Sequence, residues 1–525
     1  MATSSSILFE NTDSSIFLID IPTSIALAQE LSLTPNPEAS SDTTTTLTTS
    51  GSIKEHKRRS LLSDAPLQTP YPTSCEPKSE TARARVLATI PQSEQEIHEA
   101  IQPLLTNALA VIRAEYSRGS NLEWCSPRHL LEDIINNRSV SEQHNPEGGP
   151  RTWVSNYLLG KRKRSWAREG LLNDPNSRLK TQGSREFEDQ LHHDIFEHAL
   201  SCQHEQGHQH EHSQPPLILS QGINRFENEV SLCNTVVKNT SLEAATIELR
   251  ALFTGKGFDI DTSKDQDRDA AQAVFNIPPL SKFILCNLPL SAWNKRQRYT
   301  NPIPGLSPDR KFNLIVLDPP WANKSVRRSG YYQTQTYLDN EMLTAYIRSV
   351  LTVHSYLPIQ EGNGNLFPEN KANLSIAAIW TTNSAKSRNT AYSSLTEAGF
   401  SICEEWIWLK TTANGEAVTS LDGLWRKPYE ILVIGRRHQI FGGKGIPETP
   451  GDGSILRRII AAVPDVHSRK PNLKEVFERV FFKSDAGADV KYSALEVFAR
   501  NLTAGWWACG NEVLKFNSED WWVDD

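Results

Sequence analysis

The 525-residue chain has no run approaching the roughly 18 consecutive apolar residues that a bilayer-spanning helix requires, and its first residues lack a basic stretch leading into an apolar core. Neither a membrane protein nor a secreted one is expected. Glu10, Asp13 and Asp20 interrupt a stretch that a mitochondrial transit peptide keeps free of acids, which disfavours that address as well. Cysteine is sparse and unpatterned: Cys75, Cys125, Cys202, Cys233, Cys286, Cys403 and Cys509 form no CxxC pair, the odd set expected of a reducing compartment. An excess of positive charge is missing too. The formal net charge of −7 excludes nucleic-acid binding through overall charge and leaves that role to local basic patches. The GxGxxG fingerprint of dinucleotide sites is also absent.

The length suffices for roughly two to four domains, and a hydrophobic content of 38% permits a sizeable core in at least one of them. Residues 1–90 are rich in Ser, Thr and Pro, include SSDTTTTLTTSGS and hold no tryptophan. Such a composition buries too little apolar surface to offset the entropy of ordering, so a disordered tail is expected there. From Ser93 to Tyr116, Ile97, Ile101, Leu104, Leu105, Ala108 and Ile112 recur at helical spacing, with Pro103 expected to kink or split the helix. The stretch 124–214 mixes Trp153, Trp166 and basic clusters with Asn, Gly and Pro breaks, which reads as short helices on long loops. Thr240 with Glu243 makes a capping box for a helix through Leu252, stopped by Gly255. Residues 91–270 are therefore expected to be mainly helical with long loops. His192, His193, His198, Cys202, His204, His208, His210 and His212 are dense, but HEQGHQHEH lacks paired ligand spacing, so a solvated polar loop is expected and no metal site. The clusters KEHKRRS at 54–60 and KRKR at 161–164 read either as nuclear-import signals or as solvated loops.

From about residue 271 the character changes. Ten of the thirteen tryptophans lie at or beyond Trp293, which marks 271–525 as the part that packs a large core. Apolar runs at 283–288, 313–317, 374–380, 402–409, 429–435 and 493–499 read as strands, with the clearest helices at 389–398 and 472–482. Strands alternating with helices imply an α/β fold with a mostly parallel sheet covered on both faces.

One stretch organises this half: NLIVLDPPW, in which an apolar strand stops at Asp318 before a proline pair that cannot continue a ladder. Residues just past a parallel strand's carboxyl end face the ligand crevice, so Asp318, Pro319, Pro320 and Trp321 stand where chemistry is done. They supply a carboxylate, two rigid carbonyls and an aromatic plate. That set suits methylation of an exocyclic amine, whose conjugated nitrogen is a poor nucleophile and must have its N–H groups held by acceptors. Trp321 can stack on the base at roughly 1–3 kcal/mol, so discrimination falls to the acceptors. Lys324, Arg327 and Arg328 follow closely enough to meet flanking phosphates, Tyr331 and Tyr332 either stack a neighbouring base or pack, and Trp425, Arg426 and Lys427 form a second basic patch on the opposite lip. Arg500 and Asn501 sit just past another strand, in crevice position for hydroxyl groups of a methyl donor.

DPPW after an apolar strand resembles the signature of the MT-A70 family of adenine-N6 methyltransferases. KSVRRS, HSRKP, FARN and GWWACGNEVLKF look like its methyltransferase-like 4 branch. The resemblance covers about residues 240–525 and implies a Rossmann-like methyltransferase domain using S-adenosylmethionine. It implies that Lys470 binds the donor's methionine end, that Asn511 and Glu512 lie near its ribose and adenine, and that Asn287 and Leu288 lie beside the adenine. At Asn287 many relatives carry Asp; Asn still accepts from an exocyclic amine. The expectation is therefore an adenine-N6 methyltransferase acting on nucleic acid in the nucleus, possible in the cytoplasm too. The branch implies RNA, notably 2′-O-methyladenosine in a small nuclear RNA. DNA adenine methylation, or a catalytically silent RNA-binding partner, are the alternatives. No metal, membrane or obligate protein partner is expected.

Overall fold

A computed structural model of the chain describes residues 5–31, 59–72, 76–118, 122–133, 215–251, 273–290, 301–321, 340–356, 375–437, 455–467, 469–483 and 490–524. One twelve-stranded sheet organises them. In spatial order its strands are Ile7–Glu10, Ile16–Ile19, Leu456–Ala462, Phe400–Lys410, Tyr429–Arg437, Ile376–Thr381, Leu314–Leu317, Ala494–Val497, Trp507–Gly510, Lys282–Leu285, Val236–Asn239 and Leu217–Leu219. The seven from Phe400–Lys410 to Lys282–Leu285 run in one direction except Tyr429–Arg437, which pairs antiparallel with both neighbours.

The central strands are buried on both faces, and successive side chains feed different cores. Ile315, Leu317, Ile379 and Leu409 pack on one side against Ile101 and Leu105 of helix Gln92–Glu115, Ile347 of helix Asn340–His354 and Leu395 of helix Ala385–Glu397. Leu314, Val316, Trp380 and Trp406 pack on the other against Ile25 of helix Ile21–Ala28 and Phe477 of helix Lys474–Phe481. Helices on both faces of a mostly parallel sheet are the α/β architecture expected from the apolar runs. All six expected strands are present, their ends shifted by at most three residues, because a run apolar enough for double-sided burial has few other places to go. Among the described residues no helix is long and apolar enough to cross a membrane.

Four expectations are corrected. Residues 5–31 are not a tail: Ile16–Ile19, buried throughout, pairs parallel with Leu456–Ala462, and Asp20 caps the following helix by accepting from Thr23 N–H at 3.1 Å. Arg59–Ser63 is likewise a strand, joined to Trp522–Asp524 and His129–Leu130 in a small sheet, with Arg59 ion-paired to Glu519. The neighbouring Ser/Thr tract had diluted these short apolar runs. Helix Gln92–Glu115 runs unbroken through Pro103, which sits on its solvent face, where water can serve the Glu99 carbonyl that loses its partner. The expected capping box at Thr240 opens no helix. Ala245–Ala251 is a strand between Gly222–Asn228 and Ala273–Ile277, with Ala245, Ile247 and Leu249 buried and Thr246, Glu248 and Arg250 turned outward. That alternation by twos outweighs the local cap. The described part of 215–270 is thus β-structure, not mainly helical. The boundary at 271 does not separate an independent unit either, because the sheet draws strands from Ile7 to Asn239. All of 134–214, with Trp153, Trp166, the histidine-rich stretch and KRKR, lies outside the described residues.

The N-terminal strand provides a direct test. Phe17 is fully buried in the core beneath Leu456–Ala462. Phe17→Ala should destabilise the protein by roughly 3–5 kcal/mol in urea unfolding, the usual cost of emptying an aromatic site, whereas a substitution in a disordered tail would leave the midpoint unmoved.

Candidate active site

The carboxyl ends of the parallel strands lie along one edge of the sheet, and Asp318 follows Leu317 there, its N–H donating to Val497 O at 3.3 Å. Beyond it the turn is fixed by its own atoms. Pro319 is buried, Trp321 N–H donates to Pro319 O at 2.8 Å, and the Trp321 indole Nε1 donates to Trp380 O at 2.8 Å. Trp321 is half-buried against the core, so it packs as well as presenting an aromatic surface.

Asp318 opens on a cleft of about 600 Å³, continuous with solvent, whose walls include Trp380, Lys470, Glu496, Phe498, Arg500 and Asn501. Lys470 Nζ lies 3.5 Å from Asp318 Oδ1, and Arg500 Nη1 lies 3.9 Å from Oδ2, so the carboxylate is flanked by two cations. Each cation has a second tether. Lys470 is bonded to Glu430, which also takes Lys410; Arg500 Nε donates to Glu512 Oε2 at 3.0 Å, and Glu512 takes Lys515 at 2.8 Å. Trp380 and Trp408 meet edge to face, with Lys470 5.3 Å and 5.8 Å from their ring centres. Phe498 holds φ +62 directly after its strand, a strained conformation for an aromatic residue placed at the cleft wall. Gly510 packs so closely that a Cβ there would sit 3.3 Å from Phe498 Cα.

Titration behaviour divides the acids. Burial would raise the Glu430 carboxyl, but the Lys410 and Lys470 ammonium groups and the hydrogen bonds they donate outweigh it and hold it below the usual range. Burial and the neighbouring Asp318 carboxylate push Glu496 up to about 8, against the pull of Arg500. Glu512 is drawn down by Lys515 and Arg500 in spite of its burial.

The loop that delivers Lys470 is held from below by a buried charge cluster. Asp465, whose side chain is fully buried, accepts from Arg469 Nη1 at 2.6 Å and from Asp64 N–H at 3.1 Å, and lies 4.0 Å from Arg128. Arg469 is packed between Phe516 and Trp521 and also donates to Leu62 O. On the far side of Lys470, Asn472 N–H donates to Ser24 Oγ at 3.0 Å, and its Nδ2 donates to Thr503 Oγ1 at 2.8 Å. Segments from the first 130 residues therefore position the cation beside Asp318.

Of the residues singled out in the sequence, Asp318, Lys470, Arg500 and Asn501 share the cleft. Lys470 touches Asp318 and Glu430 as well as facing the space expected for a donor carboxylate. Asn287 and Leu288 follow Lys282–Leu285, and Asn511 and Glu512 follow Trp507–Gly510. These strands are paired with Leu285 opposite Gly510, so the two pairs are neighbours at the same edge, next to the cleft wall and not in it. Leu288 is buried among apolar side chains, and Asn511 is exposed. The Trp425–Lys427 trio splits: Trp425 and Arg426 are exposed, while Lys427 turns inward and donates to Gly423 O at 2.7 Å. Burial pulls the Lys427 ammonium down to about 8. Lys324, Arg327, Arg328 and Tyr331 lie outside the described residues. Sequence reasoning missed Glu430, Lys410 and Trp380, and it placed Glu496 in the segment that the family resemblance assigns to the donor without seeing it beside Asp318. The available signal was a charged residue inside an apolar strand, Glu430 in YEILVIG and Glu496 in ALEV.

A parallel sheet with one reversed strand, an Asp-Pro-Pro turn at its carboxyl edge and a charged cleft on the neighbouring strand defines an α/β methyltransferase fold. Residues 312–512 match the MT-A70 family model, and this part of the chain is an MT-A70 domain. The chain is 38% identical over 216 residues to "N6-methyladenosine RNA methyltransferase MTA1" of Cryphonectria parasitica, covering 41% of this chain and 55% of that one. It is 33% identical over 253 residues to human "N(6)-adenine-specific methyltransferase METTL4", covering 47% and 44%. To the "DNA N6-methyl methyltransferase" of Caenorhabditis elegans it is 27% identical over 213 residues, covering 40% and 48%. The chain thus spans about half the length of the curated relatives it matches.

The raised Glu496 carboxyl has a consequence for stability. Between the ordinary carboxyl value of 4.5 and about 8, the unfolded chain has released a proton that the folded protein keeps. This group's contribution is therefore full below the lower value and is lost as pH rises through the upper one. Urea midpoints measured at pH 5 and pH 9 should fall more for the wild type than for Glu496→Gln; equal falls would show that Glu496 does not carry the effect.

Proposed function

We propose that the protein transfers a methyl group from S-adenosylmethionine to adenine N6 in nucleic acid, with RNA preferred over DNA. The observation that carries this reading is the Asp318 carboxylate at the sheet's carboxyl edge, fixed between Lys470 and Arg500 on a turn whose prolines leave acceptors and few donors.

The cleft fits a methyl donor of this kind. Asn501 Nδ2 is buried in the cleft wall with no hydrogen-bond partner among the described residues, a donor suited to ribose oxygens, and Lys470 and Arg500 supply cationic N–H groups for a carboxylate. When bound, S-adenosylmethionine supplies an electrophilic methyl group. The protein's share is to orient the amine. Asp318 would accept one N–H and a carbonyl of the Pro319–Pro320 turn the other, turning the nitrogen lone pair out of conjugation; as the N–C bond forms and the donor's C–S bond breaks to leave a neutral thioether, the surplus proton on nitrogen would pass to the Asp318 carboxylate and on to solvent. Preorganised groups of this kind contribute on the order of 3 kcal/mol at the transition state. Trp321, its edge anchored on Trp380, offers the base a face.

RNA is favoured by two considerations. Short basic patches with interleaved aromatics suit single strands, whereas a base in duplex DNA must first be extracted at a cost of roughly a few kcal/mol. The similarity to the Cryphonectria parasitica protein named as an RNA methyltransferase, 38%, also exceeds that to the Caenorhabditis elegans protein named for DNA, 27%. Work in the nucleus, with import through the clusters at 54–60 or 161–164, and a 2′-O-methylated target adenosine belong to the same proposal.

Asp318→Asn keeps the volume but weakens the acceptor and should lower methyl transfer by on the order of 10²-fold or more, with donor binding by calorimetry largely retained. Near-normal turnover would remove Asp318 from the amine clamp. The sugar preference is read from labelled-donor assays on matched oligonucleotides carrying deoxyribose, ribose or 2′-O-methylribose at the target adenosine, single-stranded and paired. Turnover should be fastest on an unpaired RNA strand; fastest turnover on duplex deoxyadenosine would reverse the RNA assignment.

A further inference from the structure

The edge that carries Asp318 leads into a second, shallow cleft, open to solvent and formed between the N-terminal segment and the loop that precedes Tyr429–Arg437. Tyr71, Pro72 and Glu76 make one wall; Thr419, Ser420 and Arg426 make the other. Tyr71 is 52% exposed at its mouth, and Trp425, next to Arg426, is 57% exposed.

Exposure here does not come from a loose loop. Both Glu76 carboxylate oxygens are engaged, accepting from Leu424 N–H at 2.9 Å and from Trp425 N–H at 3.2 Å. Arg83 donates to Asp422 O, Thr419 Oγ1 donates to Arg426 O, and Lys427 Nζ donates to Gly423 O from within. On the other wall Tyr71 N–H donates to Val418 O at 2.9 Å. Two aromatic rings are thus displayed on backbone held by side-chain and main-chain bonds, an arrangement that keeps apolar surface in water without covering it. Arg426 has no ion-pair or hydrogen-bond partner for its guanidinium among the described residues; the acids of this cleft are Glu76, whose two oxygens are taken up by main-chain N–H groups, and Asp422. Rigid aromatic plates beside an exposed cation are what a single nucleic-acid strand needs, stacking for its bases and charge for its phosphates. The loop leaves the sheet three strands away from Leu314–Leu317 and rejoins it two strands away, roughly 10–14 Å along the edge at ~4.8 Å per strand. That is the reach of a neighbouring nucleotide and not of the base at Asp318.

We propose that the cleft with Tyr71, Pro72 and Glu76 on one side and Thr419, Ser420 and Arg426 on the other is a subsite for a nucleotide flanking the target on the same single strand, with Tyr71 and Trp425 stacking on bases and Arg426 meeting a phosphate. The inference rests on the nucleic-acid reading of the Asp318 cleft and extends it to the N-terminal segment, which lies outside the residues matched by the family model.

The test is direct binding of the full chain to a fluorescent single-stranded RNA dodecanucleotide and to a trinucleotide centred on adenosine, with Tyr71→Ala, Trp425→Ala and Arg426→Glu as variants. Each should reduce the ratio of dodecanucleotide to trinucleotide affinity by about 10-fold, as lost stacking or a lost phosphate contact predicts. Arg426→Glu should also reduce the salt slope for the dodecanucleotide by about 0.7, and Arg426→Lys should keep it. Thermal melting confirms folding, since all three positions are at the surface. An unchanged ratio in all three variants, or a salt slope indifferent to Arg426→Glu, would overturn the subsite. Loss of methyl transfer in the wild type with dodecanucleotide binding and its dependence on these residues intact would overturn the proposed activity and leave the subsite standing.

Discussion

The constraint on which the structure depends is the double-sided burial of Leu314–Leu317. Four consecutive residues with no solvent-facing side must all be apolar, and their backbone groups must all be paired, which Ile376–Thr381 on one side and Ala494–Val497 on the other provide in register. A strand so placed has one point at which polarity can return, its carboxyl end, and Asp318 stands there. The two cores on either side of the sheet, the helices that close them and the edge where chemistry is possible all follow from holding this strand at the centre.

Charge at that edge is balanced by interleaving and not by excess. Asp318, Glu430 and Glu512 alternate in space with Lys410, Lys470, Arg500 and Lys515, so that each cation reaches a carboxylate. The arrangement accommodates partly desolvated charges at a site that must remain open to solvent on one side. It also leaves Lys470 and Arg500 with fixed positions relative to Asp318, since each is tied to a second acid from a different strand end. A chain with a net charge of −7 can in this way present cationic N–H groups at one cleft without a basic surface overall.

The N-terminal segments are part of this machinery. Ile16–Ile19 extends the sheet beside Leu456–Ala462, Ser24 receives the Asn472 N–H, and Asp64 and Arg128 meet the buried Asp465 that fixes Arg469. Lys470 is thus flanked by two residues whose positions are set by chain more than 300 residues earlier in the sequence. Helix Gln92–Glu115 works on the neighbouring loop in the same manner, with His98 bonded to Leu421 O and Arg113 to Gly415 O. The domain that matches the family model therefore acquires its finished edge only with the N-terminal segments in place.

The amino-acid sequence alone determined the elements whose cause is local. Apolar runs bounded by breakers became the central strands, and the proline pair ended the one that matters, because steric limits on φ and the loss of an N–H act within the residue itself. Asp318, Arg500 and Asn501 were legible for the same reason: each immediately follows such a strand. The short strand at Ile16–Ile19 was hidden by the polar tract beside it, and Ala245–Ala251 showed two local signals, a cap and an alternation, that only pairing with Gly222–Asn228 and Ala273–Ile277 could arbitrate. Tertiary structure alone decided that Glu430 grips Lys470 across 40 residues, that Lys427 turns inward while Arg426 stays exposed, and that Glu496 shares a cleft with Asp318. Strand order and register place these side chains, and both are set by which apolar faces can be buried together across the whole chain, a condition that no local stretch of residues contains.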